Sequence, residues 1–512
     1  MIIIYHQDYK VLSIWNKTEE KPVEFPQQSL QQLLFFIAKK FPSSLIVWCH
    51  NSQKDNLNLE QIPSIFHHKK IMASYNPSEN NYLPDSIGYV EETPFIKINK
   101  EVHYPTWQMS SCVGGIHAEI LNSIAEKSTN DFDYFLNSIA KKMMPLGLLC
   151  YSAPELLLNK KTSFTSLKAT NLQLFKFVKQ HYRTRWVFLL FLDLILYEKK
   201  VPIFSLIGSL FYKRGNFNSK LLDTVVISSS KKGNHEETID VIIPTIGRKK
   251  YLYDVLSDLR NQTHLPQKVI IVEQNPLPET TSELDYLQTE VWPFEIEHIF
   301  THQTGACNAR NIALSKIRNN WVFLADDDIR IPPDFFEQAF EGINTFAADA
   351  VTFNCYREGD RQAFEKIFQW ITFGSGCSMV RREVLEGSKF SMKYEFGFGE
   401  DADYGMQLRN SGTDVLYFPQ PSLLHLKAPV GGFRTKLELP WENDVLQPKP
   451  SPTVMLYKLE HFSSKQLWGY KTILFFKFYR LQPIKNPIQY YKNFQKRWQA
   501  SLFWAQKIHG YF

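Results

Sequence analysis

The second half of the chain predicts an α/β fold with a mostly parallel central sheet, on three observations. Short β-branched and apolar runs recur at Ile239-Asp-Val-Ile-Ile243, Lys268-Val-Ile-Ile-Val-Glu273 and Trp321-Val-Phe-Leu-Ala325. Between them lie stretches whose apolar residues repeat at helical spacing. Polar or acidic residues close each run, at Pro244-Thr245, Glu273 and Asp326-Asp327-Asp328. Strand and helix alternating at this interval imply parallel strands joined by crossover helices. In such sheets ligands sit beyond the carboxyl ends of the strands.

Taken in order, Pro244 and Gly247 end the first run, and Leu252, Val255, Leu256 and Leu259 form one face of a helix. Pro266 separates that helix from the second strand. Ala309, Ile312, Ala313 and Ile317 predict a second helix, and Phe336, Ala339, Phe340 and Ile343 a third. Phe396-Gly-Phe-Gly-Glu-Asp-Ala-Asp403 reads as a helix N-terminus that runs through Met406, Leu408 and Arg409 to a stop at Gly412. Val415–Phe418 is a further strand, with His425 beyond it.

The first half is separated by the polar stretch Ser228–Glu237, which reads as a linker. It predicts strands at Met1–Tyr5 and Leu45–Trp48 with a helix from Ser29 to Lys40 between them. Leu148–Leu157 can be laid without gaps on Val415–Leu424, and Leu45–Trp48 on Val322–Ala325. Each half also carries an aromatic, basic, helical stretch, Phe175–Arg214 in one and Phe462–Ile508 in the other. These matches predict a diverged internal duplication, with a first domain at 1–230, a second at 238–436 and a tail at 437–512.

Composition narrows the class. A hydrophobic content of 44% over 512 residues excludes a disordered or fibrous chain. Six scattered cysteines without a CxxC pair suggest neither a zinc ribbon nor a disulfide framework, and fit a reducing compartment. No secretory leader is visible, and the greasiest run, Trp186–Leu192, is far short of the roughly 18 residues a spanning helix needs. The net charge of +6 is uneven: residues 461–512 carry nine Lys or Arg and no acid, which leaves the first 460 residues at −3. That asymmetry points to a local anionic partner rather than to nucleic acid. The same tail holds 15 aromatic residues, a composition suited to a membrane surface, although aromatics packed on the preceding domain with lysines facing water would read alike.

Three adjacent aspartates repel one another unless a cation or many hydrogen bonds hold them. An oxygen-rich site of that kind suits Mg²⁺ or Mn²⁺, and through it a diphosphate. Alone, such a run reads equally as a solvated turn. Here Gly305-Ala-Cys-Asn-Ala-Arg-Asn311 adds glycine, Arg310 and amides near a helix start, suitable for an anion. Gly374-Ser-Gly376 adds a turn, and Glu400, Asp401 and Asp403 add carboxylates where a helix-end field keeps them ionised.

Together these segments resemble glycosyltransferase family 2, the inverting enzymes of the GT-A fold. The resemblance covers Ile239–Lys436 and rests on Val241-Ile-Ile-Pro-Thr-Ile-Gly-Arg248, Val269-Ile-Ile-Val-Glu273, Gly305–Asn311, Asp326–Asp328, Gly374–Gly376, Gly399-Glu-Asp-Ala-Asp403 and His425, in family order. It implies a nucleotide-diphosphate sugar donor, Mn²⁺ or Mg²⁺, and a glycan or lipid-linked acceptor hydroxyl, with no nucleic acid. Carried across, Pro244, Thr245 and Arg248 line the nucleotide pocket, and Glu273 meets the base, where the family more often has Asp. Arg310 and Asn311 lie near the nucleotide, Asp326 and Asp327 belong to the donor site, and Asp328 and His425 hold the metal. Asp401 is the catalytic base with Glu400 and Asp403 beside it, and Lys427 and Arg434 stand near the diphosphate.

The expected setting is cytoplasmic, at the inner face of the cell membrane through residues 461–512, in surface polysaccharide synthesis. A noncatalytic nucleotide-sugar or glycan-binding partner and a sugar-phosphate nucleotidyltransferase are the competing readings. The first would need broken motifs, and the second wants a Gly-rich basic loop where this chain has Pro244-Thr-Ile-Gly-Arg248. In the first half, Cys49-His50-Asn51 would face the aspartates, Leu158 would face His425, and Asp133-Tyr134 would face Glu400-Asp401, which predicts a degenerate copy.

Overall fold

The computed structural model describes residues 1–124, 131–162, 164–215, 218–231, 236–395, 397–429 and 439–511. The chain forms two compact units: Met1–Lys232 with Phe462–Lys477, and Gly233–His461 with Phe478–Phe512. Their boundary falls within the polar stretch 228–237.

The first unit is built on strands β1 (Ile2–Gln7), β2 (Lys10–Asn16), β3 (Lys21–Pro22), β4 (Leu45–His50), β5 (Ile71–Tyr75), β6 (Tyr104–Pro105), β7 (Val113–His117) and β8 (Leu149–Ser152). They lie in the order β3-β2-β1-β4-β7-β5-β8-β6. Its helices are α1 (Leu30–Lys40), α2 (Ile62–Ile65), α3 (Ala118–Asn122), α4 (Phe132–Met143), α5 (Asn171–His181), α6 (Arg185–Glu198) and α7 (Ile203–Leu210). Helix α1 starts where the sequence predicts: Ser29 accepts from the Gln32 amide, and the Gln32 side chain accepts from the Ser29 amide, a reciprocal cap.

The second unit carries β9 (Ile239–Thr245), β10 (Lys268–Gln274), β11 (Glu295–Thr301), β12 (Trp321–Ala325), β13 (Ile329–Arg330), β14 (Ala350–Tyr356), β15 (Phe368–Gln369), β16 (Cys377–Arg381) and β17 (Leu416–His425). The order is β11-β10-β9-β12-β16-β14-β17-β13, with β15 also on β17. Helices α8 (Lys249–Arg260), α9 (Tyr286–Thr289), α10 (Ala306–Leu314), α11 (Phe335–Phe346), α12 (Glu400–Asn410) and α13 (Pro452–His461) accompany it. Strands β9, β10, β11 and β12 are mutually parallel and β14 is parallel to β17, while β16 runs against both its neighbours. The predicted helix faces are core: Leu252, Val255, Leu256 and Leu259 are fully buried, as are Phe336, Ala339, Phe340 and Ile343 to within 3% exposure. This is a mixed α/β fold, and most of its sheet topology occurs twice in the chain.

The two sheets repeat from their first strand onward. In each, a parallel pair (β1/β4, β9/β12) meets an antiparallel strand (β7, β16), which pairs a further strand (β5, β14) that lies parallel to the last long one (β8, β17). The Thr106 amide bonds Cys150 O in one unit, and the Trp370 amide bonds Val415 O in the other. Cys49 pairs Val113 just as Ala325 pairs Cys377. These registers set 104–117 on 368–381 without a gap. They also correct the sequence alignment: Tyr151 matches Leu416 rather than Phe418, and Trp48 matches Leu324 rather than Ala325. Short apolar strands slide on one another at little loss of similarity, whereas hydrogen-bond register does not.

The predicted tail is divided between the units. Helix α14 (Ser464–Tyr479) gives its residues through Lys477 to the first, and α15 (Pro487–Tyr511) belongs to the second. There Tyr490, Phe494, Trp498, Ser501 and Ala505 are buried at helical spacing, so part of the tail's aromatic content is core. All six cysteines are free thiols. No described helix is long and apolar enough to cross a membrane.

Candidate active site

The carboxyl ends of β9, β10, β12 and β17 and the first turns of α10 and α12 surround one cavity of about 280 Å³. Pro244, Thr245, Arg248, Arg310, Asp326, Asp327, Asp328, Glu400 and His425 line it, so most of the residues predicted from separate motifs converge.

The three aspartates have different partners. Asp327 is buried, accepts from Thr245 Oγ1 at 2.7 Å and pairs with Arg248, and burial raises its carboxyl to about 6 despite that cation. Asp328 is also buried. Its Oδ2 lies 3.0 Å from Arg248 Nη1 and 3.0 Å from the Ala428 amide, and its Oδ1 lies 3.4 Å from His425 Nε2. Burial pushes its pKa up, but these partners outweigh it and hold the carboxyl below its ordinary value. The bond to Asp328 holds the His425 imidazole above its own. Asp326 is partly exposed and takes Arg310 Nη2 at 3.1 Å. Ligand atoms of Asp326, Asp328 and His425 all lie within 4.8 Å of one another. Two carboxylates and an imidazole fit Mn²⁺ or Mg²⁺.

Gly376 makes room for this cluster. A Cβ built there would lie 2.1 Å from Asp326 Oδ2, so any side chain would displace the carboxylate. The motif Gly374–Gly376 therefore acts through space rather than flexibility.

On the opposite wall, Gly399 at φ 122° opens α12, and Glu400 and Asp401 occupy its first turn. Glu400 faces the cavity, and burial followed by the Asp401 charge pushes it up to about 7. The Asp401 carboxylate takes the Ser375 amide at 3.4 Å; burial raises its pKa, opposed chiefly by Arg310. Arg310 is itself buried with its Nε unpartnered, so one guanidinium serves both the aspartate cluster and the helix-end carboxylates.

Three predicted residues stand elsewhere. Glu273 points to the other face of β10, where His298 Nε2 lies 2.9 Å away; its neighbour Gln274 lines the cavity and accepts from the Gly305 amide at 2.6 Å. Strand alternation puts adjacent residues on opposite faces, so Gln274 rather than the predicted Glu273 lines the cavity. Asn311 instead clamps the backbone of Phe390 with two bonds, 2.8 and 2.9 Å. Asp403 turns away to His461 Nε2 and Gln407 Nε2, both 2.7 Å distant. Asp403, His461 and Glu460 come within 4.8 Å, but Glu460 already binds Tyr394 Oη at 2.8 Å, His509 Nδ1 at 3.0 Å and Lys393 Nζ at 3.2 Å. That group is a clamp between α12, α13 and α15. Lys427 is exposed at φ 51°, and Arg434 lies outside the described residues.

Sequence reasoning missed Glu395. Its carboxylate accepts from the Cys307 and Asn308 amides at 3.1 and 2.7 Å and so occupies the N-terminus of α10, where an anion was expected. It sits outside every motif, and no local signal marks it.

Residues 240–396 match the model of the family described as Glycosyl transferase family 2. No curated protein matches the sequence. Among solved structures, S. aureus TarS 1-349 is similar at 17% identity and a TM-score of 0.32, over 37% of this chain and 60% of that one. Its complex with UDP gives the same figures. Its complex with UDP-GlcNAc gives 15% and 0.33, over 51% of this chain and 71% of that one. The chain thus spans less than two thirds of the first of these structures.

Proposed function

We propose that the second unit, whose residues 240–396 match the family 2 glycosyltransferase model, transfers a sugar with inversion from a nucleotide-diphosphate donor to a hydroxyl of a glycan or lipid-linked acceptor. The observation that carries this reading is the meeting of Asp326, Asp328 and His425 with Glu400 of α12 around one cavity, Asp401 being the next residue of that helix. Asp326, Asp328 and His425 would hold Mn²⁺ or Mg²⁺, which when bound supplies a fixed positive charge to a diphosphate leaving group. Arg248 and Thr245 hold Asp327 and Asp328 in place for that task.

The Asp401 carboxylate takes the proton of the acceptor hydroxyl as its oxygen bonds to the anomeric carbon and the bond from that carbon to the phosphate oxygen breaks. Burial raises the Asp401 carboxyl and Arg310 opposes that rise, which favours the charged form that a general base requires. Glu400, raised to about 7, is in part protonated at neutral pH and able to donate a hydrogen bond into the cavity. Six free thiols support a reducing, cytoplasmic setting, and assembly of a surface polysaccharide at the inner membrane face is the role this chemistry suits.

The test is a thermal-shift panel of nucleoside diphosphates and nucleotide sugars on the full chain, with and without Mn²⁺. Stabilisation by at least one nucleoside diphosphate, removed by chelation and by Asp328→Ala, is the expected result. No shift with any member of the panel in the presence of Mn²⁺ rejects the reading.

A further inference from the structure

Helix α7 turns Leu206, Gly208 and Ser209 inward and its other large apolar residues outward. Ser209 is fully buried, and a Cβ at Gly208 would lie 3.1 Å from Leu172 of α5, so the helix meets its neighbour through its small residues. On the other side Phe204 is 88% exposed, Phe211 83%, Ile207 50% and Ile203 47%. With Leu210 they follow the spacing of a single helix face, and Val201 extends the stripe beyond the N-terminus. Tyr212, by contrast, turns back so that Lys176 Nζ lies 5.0 Å from its ring. A folded chain seldom leaves so continuous an apolar ridge in water unless something covers it.

The surrounding charge indicates what covers it. Residues 199–222 hold Lys199, Lys200, Lys213, Arg214 and Lys220 and no carboxylate. Cations at both ends of an apolar ridge complement an anionic lipid surface. A second copy of the chain would set these same cations against one another across a two-fold axis, which disfavours self-association. No described helix can span a bilayer, so contact is one-sided.

We infer that α7 and its flanking cations form a membrane-contact surface that seats Phe204 and Phe211 in the interfacial layer of an anionic bilayer. The lipid contact inferred here lies at α7, outside the 461–512 tail, and it stands independently of the proposed reaction.

The experiment is flotation of the full chain with vesicles of phosphatidylcholine alone and with vesicles about one third phosphatidylglycerol. Flotation with the anionic vesicles only is expected. Phe204→Ser/Phe211→Ser should lower the bound fraction at least about tenfold, and Lys213→Gln/Arg214→Gln should lower it and blunt its salt dependence. Both variants should keep the thermal shift with nucleoside diphosphate and Mn²⁺, which reports an intact fold and a site unaffected by failure of the lipid contact. Absence of flotation by the parent chain on anionic vesicles overturns the inference, as does equal binding of the Phe204→Ser/Phe211→Ser variant. So does a concentration-dependent dimer, lost in that variant, in a chain that fails to float; the ridge is then a self-interface.

Discussion

The two units share a sheet and differ at the ends of its strands. In the second, β9 leads through α8 to the parallel strand β10, the crossover that builds the wall of the cavity at Arg248 and Gln274. In the first, β1 turns directly into the antiparallel hairpin strand β2, so that wall is never made. The register puts His50, not Cys49, opposite Asp326, and the Leu158 amide bonds Asn56 O where the Leu426 amide bonds Asp328 O, so Asn56, not Asn51, stands opposite Asp328. The bridge between Leu57 and Leu157 falls where Ile329 pairs His425, so Leu157 rather than Leu158 replaces the imidazole. Phe132 takes the first position of α4, where α12 has Glu400, and its ring packs against His6, Tyr9 and Trp48 with centroids 5.8–6.3 Å apart. The space that is a cavity in one unit is aromatic core in the other.

One feature survives in both. Asp133 is the second residue of α4 and takes the Ser111 amide at 2.7 Å; Asp401 is the second residue of α12 and takes the Ser375 amide at 3.4 Å. Ser111 and Ser375 each stand two residues before the antiparallel strand. The matching residue is therefore Asp133 itself, not Tyr134, and the first unit keeps a carboxylate where the second has Asp401. Tyr9 Oη and Ser111 Oγ cap that carboxylate at 2.7 and 2.8 Å, and burial raises it to about 6. In both units an aspartate at this place ties the helix start to the loop before the antiparallel strand.

The largest expected effect separates these two aspartates. Asp401→Asn should lower turnover by about 10²–10⁴-fold while nucleoside diphosphate binding persists. Asp133→Asn, its counterpart, should leave turnover unchanged. Steady-state rates and thermal shift on the two variants decide it; unimpaired turnover in Asp401→Asn moves the proton acceptor to Glu400.

A smaller effect is expected where the strands meet. Gly376 corresponds to Cys112, whose side chain is tolerated because no carboxylate crowds it. Gly376→Ala puts a methyl group against Asp326 and should weaken Mn²⁺-dependent donor binding about tenfold, on the order of one charge-assisted contact, whereas Cys112→Ala should leave it unchanged. Equal affinities for Gly376→Ala and the parent chain, by titration calorimetry, would show that Asp326 can move without loss.

Much of the second unit was legible because its signals are local: apolar runs for β9, β10 and β12, helical spacing in α8 and α11, and acidic residues directly after a strand. Asp328 and His425 were readable as partners only through the resemblance, since 97 residues separate them and only the pairing of β13 with β17 brings them together. Glu273 and Asn311 do not line the cavity, because a motif gives sequence position, not which face a residue takes. Glu395 was invisible because its role depends on a loop folding back over α10. The duplication was legible in outline, but its register was not, since apolar strands carry composition while hydrogen bonds carry alignment.

The last effect belongs wholly to the first unit and concerns stability rather than the reaction. Asp193 on α6 is fully buried; Thr472 Oγ1 lies 2.6 Å from its Oδ1, and its Oδ2 has no hydrogen-bond partner. Burial raises this carboxyl to about 7, against about 3.9 in an unfolded chain. Between those values the folded chain holds a proton that the unfolded chain has released. The contribution is therefore fully present below about pH 4 and is lost as pH rises through about 7. Asp193→Asn has no proton to lose. Its melting temperature should fall less from pH 5 to 8 than the parent's and should exceed it at pH 8, by no more than about 4 kcal/mol in stability, with turnover unchanged. Parallel melting curves for the two proteins across that range would mean that the Asp193 charge is already compensated.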